Sequence, residues 1–501
     1  MRRILVSLGV LLFTSAASAE PSLVLVFGKV FTGDSARPWA EAIAIEGDKI
    51  AAVGSNAEVQ AMAGASTRVI DLAGRVVIPG INDAHMHPGF ATPAFRIETG
   101  MNPSRAEVEA AILNAIDETP ADTWITVTIG PTVLLDPTLN VETLEATARG
   151  HKVILTSFTG HGAILSEAAM KALGVASDAK DPQGGWFGRD ADGRVDGRAY
   201  EYAQYPLQRK IADLASDQEL VDNIRAFANE ALAYGITSVQ VMPWGSERRF
   251  IDALARVDTP LRVRVIDFLD HNDTKTDAVK WILDGTPLEG NAALRSKYAA
   301  GGEGRVNFSD FAPLARAAAD SKRQLLVHAS GDRAVETALK AFAKNPSLVR
   351  PRIEHGDGLQ RDLFPLALRT GAVVVQNPTH FEARQFFPSG DYQMLKSLQR
   401  AGIPIALGSD GATNPYLNIL LASERDAANR AEALTREEAV RAYTSGSAYA
   451  EMKEKQKGTI AKGMLADLAV LSQDIFEVPP PALPETHSVM TIVGGKIAYA
   501  E

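Results

Sequence analysis

Short strands with alternating apolar and polar positions follow residue 20, and the same rhythm returns at the end of the chain. "AEAIAIEGDKIAAVG", residues 40–54, predicts two strands around a Gly47-Asp48 turn. "SVMTIVGGKIAYA", residues 488–500, predicts a second pair turning at Gly494-Gly495. The likeness of "IEGDKIAAV" to "IVGGKIAYA" predicts one small β-sandwich domain built from both termini, residues 20–80 and 457–501. The middle of the chain has a different rhythm. Apolar runs alternate with amphipathic helical stretches: "GITSVQVM", "LRVRVIDF", "AVKWIL", "QLLVHA", "PRIEHG", "AVVVQN" and "IPIALGSD". With the run "VVIPGINDAH" before them, the strand–helix units number eight, which predicts an α/β fold, a (β/α)8 TIM barrel over residues 81–456.

Residues 90–234 separate the first barrel strand from the second, too many for a βα connection. They carry strands of their own, "WITVTIG" and "KVILTS", and are expected to form an inserted subdomain. Within them "DPQGGWFGRDADGRVDG" spaces acids like a calcium loop. Arg194 stands where an oxygen donor belongs and Val195 where a glycine is required, so the loop is expected to bind no calcium. The start, "MRRILVSLGVLLFTSAASAE", has Arg2 and Arg3, a short apolar run and an Ala17-Ser18-Ala19 cleavage pattern. It reads as a signal peptide over residues 1–19, so a periplasmic or extracellular protein is expected.

Composition narrows the partners. Losing Arg2 and Arg3 takes the formal net charge from −10 to −12, which disfavours nucleic acid and anionic membrane and leaves a small-molecule substrate; a homo-oligomer is open. There are no cysteines, so an exported chain has no disulfides, and any metal is held by nitrogen and oxygen donors.

The polar residues at the carboxyl ends of the predicted barrel strands form a set. The first strand ends in His85 and His87, two apart and therefore on one face. The fourth carries Lys280, the fifth His328, the sixth His355, and the eighth Asp410. Active sites of such barrels form at this rim. Four histidines at equivalent places are hard to explain by packing.

The motifs "PGINDAHMHP", "LLVHASGD", "RIEHGDGL" and "ALGSDGA" resemble the metal-dependent amidohydrolase superfamily. "VKWILDGT", "GHGAILSEAAM" and "HASGDRAVETAL" are similar to its amidohydrolase-3 branch, the YtcJ-like proteins that include N-substituted formamide deformylases. The resemblance implies that His85, His87 and Asp410 hold one metal and that His328 and His355 hold a second. It implies that Lys280, carboxylated, bridges the two; the alternative is an ion pair of Lys280 with an acid such as Asp284, and a single-metal site that uses some of the same histidines. Zinc suits the donor set best, and manganese, iron or nickel also fit. The implied reaction is attack of a metal-bound hydroxide on an N-acyl or N-formyl amide, with Asp410 moving the proton. His161 is implied to face the substrate, although Gly160 and Ser166 depart from the family's usual Asp and Asn.

Asp332 is expected either to orient His328 or to cap the next helix. Trp186, Trp244, Phe381, Phe386 and Phe387 are candidates for pocket walls or core. His151, His271, His380 and His487 receive no role, with His380, after strand seven, first in line for one. An esterase or lactonase is the close alternative, because the same nucleophile attacks either carbonyl. A secreted solute-binding protein without turnover is the alternative of another class.

Overall fold

Each of the eight apolar segments is a strand in the computed structural model, which describes residues 20–88, 94–269, 271, 275–299, 301–388 and 390–501. The signal-peptide reading lies outside the described residues. The strands are β1 (Ile81–Met86), β2 (Ile236–Val241), β3 (Arg262–Val265), β4 (Ala278–Ile282), β5 (Gln324–Ala329), β6 (Arg352–His355), β7 (Val373–Gln376) and β8 (Ile405–Leu407). They form two parallel sheets that follow chain order, β3-β2-β1 and β4-β5-β6-β7-β8.

The two seams between these sheets are stitched rather than laddered. At one, a single parallel bridge joins Asp267 to Val279, and Lys280 N donates to Asp267 O at 2.8 Å. At the other, Asp410 N donates to His85 O at 2.8 Å and Ser409 N donates to Asp83 Oδ1 at 3.0 Å. A Cβ on Gly408 would fall 2.5 Å from that of His85, so only glycine permits this approach. The arrangement is an α/β fold consistent with a TIM barrel, its hydrogen-bonded ring open at two seams.

Alternation decides what each strand offers. Ile353 and Val374 point outward into a core shared with the helix Asp332–Lys344, while Arg352 and Glu354 point inward and meet β1. The helix Asp217–Ala233, at the end of the stretch expected as an insertion, shares its core with β1 and β2. Its N-terminus is closed by a Ser216–Glu219 capping box.

Residues 95–201 carry a separate six-stranded sheet. In the turn-rich loop, strands Gly185–Arg189 and Val195–Glu201 form a hairpin, and Asp190 Oδ1 accepts from the backbone of Asp192 and Arg194. These acids shape a turn. Strands from both ends of the chain meet in another six-stranded sheet, where Leu468–Leu471 pairs antiparallel with Val76–Pro79. The two look-alike hairpins touch at their turns: a Cβ on Gly495 would lie 2.0 Å from Gly47 O, and both glycines have positive φ.

Candidate metal centre

The two histidines that end β1 are held by different hands. His85 Nδ1 lies 2.7 Å from Glu354 Oε2, and His87 Nδ1 donates to Met242 O at 2.8 Å. With Nδ1 carrying the proton, each ring turns a bare Nε2 lone pair toward Asp410. Glu354 is itself clamped by Arg352, whose Nε and Nη2 donate to its two oxygens at 2.8 and 2.9 Å. Both side chains are fully buried. Sequence reasoning missed Glu354 and Arg352, although their alternate positions on the sixth strand put them on one face.

The Nε2 atoms of His85 and His87 each lie 3.6 Å from Asp410 Oδ1. The Nε2 atoms of His355 and His380 lie 3.7 and 3.8 Å from Asp410 Oδ2. Asp410 thus stands between two groups of potential ligands, His85 with His87 and His355 with His380, whose ligand atoms fall within 4.8 Å of one another. His380 joins this cluster, its ring stacked on His355 at 5.4 Å between centroids. His355 and Asp410 both have positive φ, an uncommon backbone for residues with a side chain. The reversal at His355 lets it serve the same cluster as its neighbour Glu354.

Lys280 Nζ lies 2.9 Å from His85 Nε2 and over the Phe268 ring. Among the described residues it has no ion pair with Asp284. Asp284 instead accepts from the backbone of Ala293, Ser330 and Gly331, and its Oδ1 lies 3.7 Å from His328 Nε2. That Nε2 is buried without a hydrogen-bond partner among the described residues, as a ligand atom held for a cation would be. The His328 ring sits 4.3 Å from that of His355. Asp332 takes neither expected role: its Oδ1 accepts from Arg295 N, and the helix it begins has no side-chain cap.

Burial lowers His85, His328 and His355 well below the usual imidazole range and His87 to about 4. Burial also lowers the Lys280 amine to about 8, partly offset by the Asp410 and Glu354 carboxylates. For Asp410, burial favours the neutral acid, but His380, His87 and Lys280 outweigh it and lower the carboxyl. Neutral imidazoles around a carboxylate are the donor set of a divalent transition metal, so the residues fit such an ion.

His161 reaches this centre from the inserted sheet, its ring 4.6 Å from that of His328. Beside it Gly160 has φ +76° and would meet Trp244 at 3.1 Å if it bore a Cβ, which accounts for glycine there. Ser166 caps the helix Glu167–Leu173. Of the candidate aromatics, Trp244 packs on His87 at 5.3 Å, whereas Trp186 stacks on Tyr200, Phe387 on Tyr392, and Phe381 is buried under Arg425. Phe386 is exposed. His271 stacks on Trp281 and donates to Lys280 O, while His151 lies beside Ala148 O and His487 pairs with Glu501.

Residues 68–499 match the amidohydrolase family Amidohydro_3. The chain is 26% identical to YtcJ of Bacillus subtilis, covering 92% of this chain and 96% of that one. It is 24% identical to the N-substituted formamide deformylase of Arthrobacter pascens, covering 95% and 98%. Its fold is similar to that of a metal-dependent hydrolase of Pyrococcus horikoshii, with a TM-score of 0.72 at 18% identity over 92% of this chain and 99% of that one. The chain belongs to the amidohydrolase family, and the cluster around Asp410 brings metal-type ligands together.

Proposed function

We propose that this chain is an exported hydrolase that cleaves a carbon–nitrogen bond other than a peptide bond, in an N-acyl or N-formyl amide, using one or two divalent cations, zinc foremost. The observation that carries the reading is the convergence of His85, His87, His355 and His380 on the two oxygens of Asp410. Full-length similarity to a deformylase of N-substituted formamides supports the choice of amide. The first nineteen residues support export.

A divalent cation bound here supplies Lewis acidity, polarising the substrate carbonyl and making water a nucleophile near neutral pH. His85, His87 and Asp410 would hold one such ion, and His328 and His355, joined by His380, a second. Lys280, as the neutral amine, would add carbon dioxide at Nζ with loss of a proton, and the carbamate would supply carboxylate-type oxygens to the ions. Asp410 accepts the proton of the attacking water and returns it to the leaving nitrogen, so that amine and acid depart with charges balanced. His161, protonated on both nitrogens with Nδ1–H given to Glu201, donates from Nε2 to the carbonyl oxygen as charge develops there.

The test is hydrolysis of a panel of N-formyl and N-acyl amides and matched esters and lactones, with metal content measured on the same sample. Faster turnover of amides is the expected result. Preference for esters would make the protein an esterase or lactonase. Tight binding without turnover would make it a solute-binding protein.

A further inference from the structure

The carboxylate of Glu201 is fully buried and collects donors from three segments. His161 Nδ1 lies 3.0 Å from Oε1, the Tyr205 hydroxyl donates to Oε2 at 2.9 Å, and Asn307 Nδ2 donates to Oε2 at 3.3 Å. Glu201 ends the strand Val195–Glu201, Tyr205 begins the helix Tyr205–Ala212, and Asn307 belongs to the stretch after β4. A Cβ on Gly285, also after β4, would come within 2.8 Å of Glu201 Oε1, so the barrel side leaves room for this carboxylate and little more.

We infer that Glu201 is a positioning residue: by accepting the Nδ1–H of His161 it fixes that ring beside His328 and turns Nε2 toward the substrate. Three features support this. An imidazole whose Nδ1–H is given to a buried carboxylate has its ring orientation set by that bond. Nε2 of His161 has no hydrogen bond among the described residues, and the residue is 6% exposed. Tyr205 and Asn307 both serve Oε2, which fixes the carboxylate before His161 meets it. In this way the inserted sheet is part of the reaction site. The inference rests on the hydrolase reading above for what Nε2 does, and on geometry alone for how it is held.

The test joins a spectroscopic and a kinetic measurement on the full metal-loaded protein. With histidines labelled in 15N, the Nδ1–H of His161 should give a far-downfield proton resonance that disappears in both Glu201→Gln and His161→Ala. Its absence from the wild type would overturn the inference whether or not a substrate is known. On the amide hydrolysed fastest in the panel, Glu201→Gln should lower kcat by on the order of tenfold or more, part of the roughly 100–1000-fold carried by one such donor. KM and metal content should stay near wild type. In a His161→Ala background the same change should cost nothing further. A full loss in that background would place Glu201 in some other role. If Glu201→Gln does not fold, Tyr205→Phe should give a smaller loss of kcat that also vanishes in His161→Ala, and persistence there would again overturn the inference. A His161→Ala variant with unchanged turnover would defeat the role given to His161, whereas wild-type turnover in Glu201→Gln alone would defeat only this inference.

Discussion

Nζ of Lys280 and Nε2 of His85 lie 2.9 Å apart at the centre of the barrel mouth. Two basic groups at that distance are not both cationic in a buried site. His85 is held neutral by burial and by its neighbours, and the Lys280 amine is lowered to about 8. Nζ therefore donates to the bare Nε2 of His85, and it becomes a neutral amine as pH rises through about 8.

The neutral amine is the form that takes up carbon dioxide. Since lowering the Lys280 pKa means the amine loses its proton as pH rises through about 8, metal uptake by stripped protein in bicarbonate should quicken across that range. Lys280→Ala should lose much of its metal and activity and recover part of both with short carboxylic acids. Full metal and full activity in Lys280→Ala, without any additive, would remove the bridge.

Purified protein should hold about one to two equivalents of transition metal, and a chelator should abolish hydrolysis until metal is restored. Elemental analysis alongside turnover checks this. Undiminished turnover in metal-free protein is the outcome that sinks the mechanism.

Asp410→Asn retains the shape and one oxygen donor but cannot accept a proton. It should keep a substantial share of the metal and lose turnover by about 100–10,000-fold. Near-normal turnover would leave the proton transfer to another group.

Glu354→Gln should act twice. It removes the anion that fixes the His85 tautomer, and metal affinity should fall by roughly 10–100-fold. It also leaves the fully buried Arg352 without its charge partner, and losing one half of such a pair costs about 3–5 kcal/mol of stability. Metal titration and a denaturant midpoint measure the two effects separately. If both stayed at wild-type values, the Arg352–Glu354–His85 chain would have no functional weight.

The eight strands were legible in the sequence because buried parallel strands are short apolar runs with few alternatives. The placement of His85 and His87 was legible for a local reason: residues two apart on a strand share a face. Lys280, His328, His355 and Asp410 followed from their places at strand ends. No local pattern could choose hydrogen-bond partners, because those lie far away along the chain. Glu354 is 269 residues from His85, and Glu201 is 40 from His161. His380 looked like one histidine among several until its loop folded it over His355. Asp332 and Asp284 show the converse: both acids sit near His328 in reach of sequence reasoning, and backbone packing alone assigned Asp284 to it. Strand periodicity, a local property of the chain, determined which residues face the mouth of the barrel. Tertiary structure decided which nitrogen of each ring is free, because that depends on which distant carboxylate or carbonyl is packed against the other.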